Sequence, residues 1–383
     1  MKKFICLALV FCSILGLCAC GDKKKESSVS KYAASQEDIA HLDKAYEGRT
    51  VYFGEAHAHA DTGGMSDGKN TLSQWVTFME EKNIDFNTIV DHRQVAHMYL
   101  DEWDDACFIG GTELATVLEN VDATRKNMHS NILFANPEGL KNVLRSDSAF
   151  DYEEDTTFCE SPGWSSTRLK AVIQKIKDEG GMWVHVHPKS DGYLNSENPA
   201  AYWFADQTGL EVLNGFGKHS AVHEDTKKNY KLWTDLLYLD AKVWATSGSD
   251  SHADMFDTAL TAIYAEELTP ESLFSHMRVG DFAPGFAGIR MTIGDTLMGG
   301  IGSFAGQKVV FSVDKFHESV LDKYSGFQVV LFEDSQEVFR ENIDHTKANY
   351  FAYECNPSAK FYRVEVLDKD GNFIALGNPI WKN

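Results

Sequence analysis

Two histidines separated by one residue follow the first apolar run of the chain. In the stretch VYFGEAHAHADTGGMSDG, residues 51–68, His57 and His59 come directly after this run, and Asp67 lies eight residues beyond His59. Side chains two residues apart in an extended chain point to the same face, so both imidazoles can reach one ion. Imidazole nitrogens and carboxylate oxygens are ligands of zinc, manganese and iron. The stretch therefore indicates a site for divalent cations.

Further side chains of the same chemical kind lie beside other predicted strands, in most cases where a strand ends. They are Asp91, His92, Glu113, His129, His187, Asp250 and His252. In a parallel barrel the carboxyl ends of the strands converge on one rim, where loops build active sites. Buried histidines and carboxylates are costly unless they are paired or bind metal. Their repeated position therefore favours one shared metal site over separate structural roles.

The elements that must position these residues alternate between strands and helices. Segments such as TVYFGEA and MWVHVHP are apolar and rich in residues that favour strands, whereas residues 72–79 and 169–176 carry apolar side chains at helical spacing. Alternating units of this kind predict a parallel sheet, either a barrel or an open doubly wound layer.

The pattern changes at about Phe286. From there to the C-terminus, short segments with a period of two residues, such as KVVFSVDKF and FYRVEVLD, are separated by Gly, Asp and Ser turns. No helical repeat interrupts them. This pattern predicts a small C-terminal domain that resembles a β-sandwich.

The N-terminus has the composition of an export signal. Residues 1–19 combine two lysines with an apolar core that is too short to span a membrane. The sequence Leu-Cys-Ala-Cys ending at Cys20 resembles a bacterial lipobox, although an ordinary secretion signal cut nearby is an alternative. We expect lipidation of Cys20, followed by a polar tether over residues 20–48. The body of the protein would then be anchored on the outer side of the cytoplasmic membrane, or lie in the periplasm.

Charge and cysteine content exclude two classes of protein. The net charge is -21, from 36 Lys and Arg residues against 57 Asp and Glu residues, so nucleic acid is not an expected partner. Beyond the signal and the anchor only three cysteines remain, Cys107, Cys159 and Cys355, and their spacing is irregular. They form neither a disulfide framework nor a cysteine metal site.

Seven motifs together resemble a known superfamily. The motifs HAHADTGGMSDG, VDH, GTEL, MHSNIL, HPKS, LEVLNG and GSDSH occur in this order within residues 50–285. The series is similar to that of the polymerase and histidinol phosphatase (PHP) superfamily of metallohydrolases. The tail YRVEVLDKDGNFIALGNPIW resembles the one that follows the barrel in the carbamate-hydrolase-like branch of that superfamily.

The resemblance implies both a fold and a metal cluster. The fold is α/β, with a distorted (β/α)7 barrel over residues 49–285 and the β-rich domain over 286–383. The cluster would hold two or three divalent ions of zinc, manganese or iron. Carried across residue by residue, the implied ligands are His57, His59, Asp67, His92, Glu113, His129, His187, Asp250 and His252.

Several neighbouring residues have roles that the sequence leaves open. We expect Asp91 to orient a neighbour rather than to bind metal. Arg93 could hold a substrate anion or form a salt bridge, and His185 could support a ligand or pack in the core. Three of the histidines outside the motifs, His97, His219 and His223, are expected at the surface.

The function expected from these residues is metal-dependent hydrolysis by a hydroxide that bridges metal ions. A small-molecule phosphoester at the cell surface is the first candidate substrate. Cations near the rim that could help to bind phosphate are few: Arg93, Lys189, Lys218 and Arg278. An amide or carbamate hydrolase therefore remains an alternative. A metal-dependent ligand-binding lipoprotein without turnover is a third candidate, although no ligand is missing from the pattern.

Overall fold

The computed structural model describes residues 32–64, 66–119, 128–160, 163–188, 205–216, 218–253 and 258–383. The predicted signal segment, Cys20, the first part of the expected tether and Lys189 lie outside these ranges. Within these ranges, no helix has both the length and the apolar character needed to cross a bilayer.

A sheet of ten strands forms the larger part of the protein. Its strands are β1 (Thr50–Ala58), β2 (Phe86–Ile89), β3 (Phe108–Glu119), β4 (Met128–Phe134), β5 (Gly163–Ser165), β6 (Met182–His185), β7 (Thr208–Asn214), β8 (Val243–Gly248), β9 (Thr261–Ala265) and β10 (Ala283–Pro284). The order is β10-β9-β1-β2-β3-β4-β6-β7-β8, and β5 pairs with β3. The chain beyond β8 returns to β1, because the Asp250 N–H donates to the His57 carbonyl at 2.9 Å. The sheet is thus barrel-like and nearly closed.

Four neighbouring pairs of this sheet are parallel, as the sequence predicted, namely β1–β2, β2–β3, β6–β7 and β7–β8, but two strands depart from that arrangement. β4 is antiparallel to both β3 and β6, and β9 is antiparallel to β1. A parallel pair needs a crossover of about a dozen residues or more. Only residues 120–127 connect β3 to β4, which is too few for a crossover helix, so these two strands pair as a hairpin.

Seven α-helices occur in the described parts of the chain. They are α1 (Gln36–Ala45), α2 (Leu72–Lys82), α3 (Pro137–Ser146), α4 (Ser166–Asp178), α5 (Glu224–Tyr238), α6 (Pro270–Met277) and α7 (Glu318–Leu321). α2 begins with a capping box, in which the Thr71 hydroxyl accepts from the Gln74 N–H and the Gln74 side chain accepts from the Thr71 N–H. Its buried face includes Trp75 and Met79. Helices of this kind cover the outside of the barrel-like sheet with apolar surface.

Part of the segment that we expected to be a tether is ordered. α1 begins at a Ser35–Asp38 capping box and buries Leu42. The Lys308 ammonium contacts the Asp38 carboxylate at 3.2 Å, and the Arg290 guanidinium contacts Asp43 at 2.8 Å. The capped first turn and these two ion pairs attach α1 to the C-terminal part of the chain, so a tether could extend only over residues that precede it.

The C-terminal part consists of two further, mostly antiparallel sheets. One has four strands, β11 (Ala287–Ile293), β12 (Thr296–Leu297), β14 (Lys308–Phe316) and β17 (Asn349–Glu354). The other has six, β13 (Ile301–Gly302), β15 (Gln328–Glu333), β16 (Gln336–Asn342), β18 (Phe361–Leu367), β19 (Phe373–Leu376) and β20 (Ile380–Lys382). The ring of Phe339 packs against Phe311 and Phe351 of the first sheet, with centroids 5.7 and 5.1 Å apart. The two sheets therefore share an aromatic core, as in a β-sandwich.

Buried polar contacts join the two parts of the protein. The Asn378 side chain accepts from the Ala245 N–H at 2.8 Å and donates to the Phe282 carbonyl at 3.1 Å. The Arg363 guanidinium of β18 is buried, where it pairs with Glu365 and lies 5.3 Å from the Trp233 ring of α5. Because buried polar groups are costly without partners, these contacts favour the packing of the sandwich against one side of the barrel-like sheet.

Candidate metal centre

The nine predicted ligand residues lie together at one rim of the barrel-like sheet. His57, Glu113 and His129 belong to β1, β3 and β4, whereas the other six are in the loops that follow β1, β2, β6 and β8. Glu113 is in the middle of β3 rather than at its end, because the hairpin with β4 extends the strand. β4 is antiparallel, so its first residues reach the same rim as the last residues of the parallel strands.

Glu113 is the centre of the cluster. Its side chain is fully buried, and its two oxygens contact the nearest ring nitrogens of four histidines at 2.8–3.1 Å, namely His57, His59, His129 and His187. A fifth histidine, His92, lies 3.7 Å away through Nδ1. One carboxylate is therefore shared by histidines that belong to, or follow, the four strands β1, β2, β4 and β6.

Asp250 is a second shared carboxylate. Its Oδ1 lies 3.2 Å from His59 Nε2, 3.4 Å from His57 Nε2 and 3.5 Å from His252 Nδ1. The outer edge of the cluster is closed by Asp67, whose Oδ1 lies 3.2 Å from His252 Nε2.

Two groups of donor atoms fit a metal ion each. The first contains His57, Glu113, His187 and Asp250, and the second contains His59, Asp67, His92 and His252. Within each group all donor atoms lie within 4.8 Å of one another. The His59 ring adjoins both groups, because its Nε2 is also 3.1 Å from Glu113. The groups are therefore neighbours rather than separate sites.

The cluster is electrostatically arranged to hold positive charge. Burial by itself would raise the pKa of Glu113, but the charge of His57 and hydrogen bonds from His129 and His187 hold this pKa well below its usual range. Burial would also raise the pKa of Asp250, but mainly the charge of His57 lowers it to about 2. Burial would lower the pKa of His59, yet hydrogen bonds to Asp250 and Glu113 raise it to about 9.

This donor set fits divalent cations. A buried and a half-buried carboxylate surrounded by imidazoles require positive charge in their midst, which either protons or metal ions can supply. Mixed nitrogen and oxygen donors, with five imidazoles in the two groups, suit zinc, manganese or iron better than magnesium or calcium.

Three residues of the rim have a left-handed backbone, at φ 56° for Arg93, 28° for His187 and 51° for Asp250. Residues other than glycine adopt such angles at a cost of about 1–3 kcal/mol each. The N–H of each is held by another part of the site. Arg93 donates to the Glu113 carbonyl at 3.1 Å, His187 to Glu211 Oε2 at 2.6 Å, and Asp250 to the His57 carbonyl. These bonds keep the loops in the conformation that turns their side chains into the cluster.

Two buried glutamates beneath the cluster were not predicted from the sequence. Glu211 of β7 accepts the His187 N–H and contacts His57 Nδ1 at 3.3 Å. Oε1 of Glu55 accepts the N–H groups of Ala56, His57 and Ser249 at 2.8–3.1 Å. Burial raises the pKa of Glu55 to about 7. The sequence feature that could have predicted them is a single carboxylate inside an otherwise apolar strand, as in VYFGEA and GLEVLN.

Gly248 leaves the space in which one of these contacts forms. A Cβ atom at this position would collide with Glu211 Oε1 and with His57 Cβ. The glycine at the end of β8 therefore permits the close approach of β1 and β7 that places the glutamate against the histidine ring.

Asp91 lies beside the cluster and orients its neighbours, as we expected. It accepts the Ala60 N–H at 2.6 Å and the Thr62 hydroxyl, which fixes the loop that follows His59. Its Oδ2 also lies 3.3 Å from His97 Nδ1. The expectation that His97 is at the surface is wrong, because its side chain is fully buried against Asp91 and the Trp103 ring.

The structure also defines the positions of the other residues whose roles the sequence left open. Arg93 forms a salt bridge with Glu160 at 2.8 Å, and His185 is buried with its ring 5.9 Å from that of Trp183. His219 is half-buried and stacks on the Phe286 ring at 4.4 Å. His223 is half-buried as well and lines the cavity described next, so neither of these two is a plain surface residue.

A cavity of about 510 Å³ opens above the cluster. Six cluster residues form its floor, and Asn214, Phe216, His223 and Asp225 form the described part of its wall. No Lys or Arg is found among the described residues that line it. Arg93, Lys218 and Arg278, which we considered for phosphate binding, are not part of this lining.

Comparisons with known proteins give distant similarities. No protein-family model and no curated protein matches the chain. A solved two-domain protein from Bacteroides vulgatus, which contains a predicted PHP-like metal-dependent phosphoesterase, is 14% identical with a TM-score of 0.42, over 87% of this chain and 96% of that chain. The lesion-specific endonuclease PfuEndoQ from Pyrococcus furiosus is 14% identical with a TM-score of 0.41, over 61% and 57%. Similarities of this size assign no activity to the chain, so its chemistry has to follow from the site.

Proposed function

We propose that this protein is a metal-dependent hydrolase in which the nine clustered side chains bind two or three divalent cations. The observation that supports this is the position of Glu113, a buried carboxylate shared by the histidines of two adjoining donor groups. Two histidines with a purely structural role would not need a carboxylate that is shared in this way, whereas a site that binds several cations does.

Water is the nucleophile in this proposal. Among the described residues that line the cavity there is no Ser, Thr or Cys, so the chain offers no side-chain nucleophile there. When bound, divalent cations lower the pKa of water and neutralise the charge that develops on an attacked phosphoryl or carbonyl oxygen. Glu113 and Asp250 hold the imidazoles in place, and the wall of the cavity limits the access of bulk water.

A phosphoester is the first candidate substrate, and an amide or carbamate is the second. Phosphoryl groups carry charge that cations in the floor of the cavity would bind. The lack of Lys and Arg in the described lining favours a substrate with little negative charge beyond the reacting group. The same lack of cationic side chains keeps a neutral carbamate as the alternative substrate.

We further propose that the chain belongs to the PHP superfamily and that β1, β2, β3, β4, β6, β7 and β8 form its distorted (β/α)7 barrel. Residues 49–285 and 286–383 would be its two domains. Export and a lipid anchor on Cys20 would place the site outside the cytoplasmic membrane, and the net charge of -21 makes nucleic acid a poor partner.

The test measures metal content and hydrolysis in the same preparations. The purified protein should contain more than one transition metal ion per chain and should hydrolyse p-nitrophenyl phosphate or bis-p-nitrophenyl phosphate, with loss of activity on chelation and recovery on metal addition. An aryl carbamate and an aryl amide measured in parallel identify the bond. His57→Ala and Asp250→Ala should abolish activity, whereas replacement of the exposed His41 on α1 should not. Folded, metal-free protein that hydrolyses none of these esters would refute the proposal.

A further inference from the structure

The two donor groups of the cluster are carried by different parts of the chain. We call His57, Glu113, His187 and Asp250 the inner group, and His59, Asp67, His92 and His252 the outer group. Two members of the inner group belong to β1 and β3, whereas all four members of the outer group lie in loops. The Asp67 side chain is 59% exposed, against at most 16% for any side chain of the inner group. The geometry of the outer group therefore depends on how its loops are held.

Asp67 is carried by a loop that closes on its own beginning. The Asp67 loop is residues 60–68, all of which the structure describes except residue 65. The Ser66 hydroxyl donates to the Ala60 carbonyl, and the Ala60 N–H donates to Asp91 Oδ1 at 2.6 Å. Just beyond the loop, the Lys69 N–H donates to the His252 carbonyl at 2.6 Å. These bonds hold both ends of the loop beside the other outer donors.

Gln94 holds the middle of the Asp67 loop. Its Nε2 donates to the Gly63 carbonyl at 2.6 Å. Gly63 and Gly64 both have a left-handed backbone, at φ 78° and 62°, and a Cβ atom at Gly64 would lie 2.7 Å from Gln94 Oε1. Glycine at this position therefore leaves room for the amide, and the loop fits closely around it. The Gln94 side chain is buried, where a donor needs a partner of this kind.

His97 acts on the same loop through Asp91. The Asp91 carboxylate accepts the Ala60 N–H and the Thr62 hydroxyl, and both Asp91 and His97 are fully buried. His97 Nδ1 lies 3.3 Å from Asp91 Oδ2, and the centroid of its ring lies 5.5 Å from that of Trp103. A buried carboxylate is costly without polar neighbours, so the imidazole stabilises Asp91 in the position from which it holds the loop.

We propose that Gln94 and His97 are positioning residues that set the affinity of the outer group for its cation, separately from that of the inner group. Their contacts lead to the Asp67 loop, which carries one of the outer donors. The inner group is instead supported from beneath by Glu211, through His57 and His187. This inference rests on the metal-binding part of the proposed function and does not require that a substrate is hydrolysed.

The test resolves two zinc-binding steps by competition with a chromophoric chelator. Asp67→Asn removes a donor of the outer group and so identifies the outer step. We expect Gln94→Met, which keeps the length of the side chain but lacks the donor, to weaken the outer step by about 10- to 100-fold and to leave the inner step unchanged. Gln174→Met is the matched control, because the Gln174 amide donates in the same way to Asp178 on α4, and it should change neither step.

Two replacements of His97 test its action through Asp91. His97→Phe fills the buried space without a polar atom and should weaken the outer step selectively. His97→Asn packs less well but supplies an N–H close to the position of Nδ1, so it should bind the outer zinc ion more tightly than His97→Phe does. A loss of packing alone would give the opposite order.

The outcomes separate this inference from the proposed reaction. If the outer step is weakened selectively but no ester, amide or carbamate is hydrolysed, the inference stands and the hydrolase proposal fails. If Gln94→Met weakens both steps equally, or changes neither, the inference is refuted and the metal centre stands. A wild-type protein that binds a single zinc ion, unaffected by Asp67→Asn, refutes the inference as well, and one that binds no zinc refutes both proposals.

Discussion

Replacing Glu211 by Gln tests whether the residues beneath the cluster control its chemistry. The carboxylate has one oxygen 3.3 Å from His57 Nδ1, and the other accepts the His187 N–H at 2.6 Å. Glutamine supplies one acceptor and one donor in the same shape. In either orientation of the amide, one of the two histidines loses its acceptor.

Each orientation has a calculable cost. If the amide nitrogen faces His57, the ring has to accept at Nδ1, which moves its proton to Nε2, the atom that faces Glu113 and Asp250. If it faces His187 instead, two N–H groups oppose each other where the backbone is already left-handed. Partners of this kind typically change metal affinity by about 10- to 100-fold, which corresponds to about 1.4–2.7 kcal/mol.

The assay is competition for Zn²⁺ between the protein and a chromophoric chelator. We expect Glu211→Gln to weaken zinc binding by about 10- to 100-fold with the fold retained. Glu55→Gln is the matched control, because Glu55 lies equally deep and the three backbone N–H groups that it accepts all reach one oxygen, which glutamine preserves. Equal zinc affinity in the Glu211 variant and the wild type, or equal losses in both variants, would refute the reasoning.

Three further predictions concern stability. Glu365→Gln leaves Arg363 charged and buried without its counter-ion, which should lower the free energy of unfolding by about 3–5 kcal/mol. Glu337→Gln, at an exposed Arg–Glu pair in the same sheet, should lower it by only about 0–1 kcal/mol. Urea unfolding measures both changes. Burial would lower the pKa of His276, but hydrogen bonds to two carboxylates raise it. The stabilisation of the folded state by the protonated ring is therefore present below about pH 6.5 and is lost as the pH rises through the raised pKa. His276→Asn should therefore destabilise the protein more near pH 5.5 than near pH 9. Saturating zinc should raise the melting temperature of chelated wild-type protein, and the increase should be much smaller in Asp250→Ala; an equal increase would place the zinc elsewhere.

Local patterns in the sequence predicted most of the strands and helices around the site, because burial imposes periodicity on each segment by itself. Strand direction was not predictable in this way, since period-two alternation is the same in both directions. β4 was therefore placed in a parallel sheet, although its short connection to β3 was a usable signal. α1 was missed because it has few apolar residues to bury, while the capping residues Ser35 and Asp38 were visible.

The composition of the candidate site was predictable for a different reason. Histidines and carboxylates at the ends of strands are conspicuous against an apolar background, and all nine lie at one rim. What the sequence could not supply is the pairing among them. The central role of Glu113 depends on the antiparallel hairpin, and the contact of Glu211 with His57 depends on the closure of the sheet beside Gly248.

The rim concentrates unfavourable features in a small volume. Left-handed backbone at three residues, several imidazoles and at least four buried carboxylates lie there, and each would destabilise an isolated loop. They persist because every strained N–H is bonded to a neighbouring part of the site and the sheet beneath has a large apolar core. Cations bound at the cluster would remove one of these costs, the mutual repulsion of Glu113 and Asp250. Cation binding and folding stability should therefore be coupled in this protein, so that the cation-bound form is the more stable one and loses this gain when a donor group is removed.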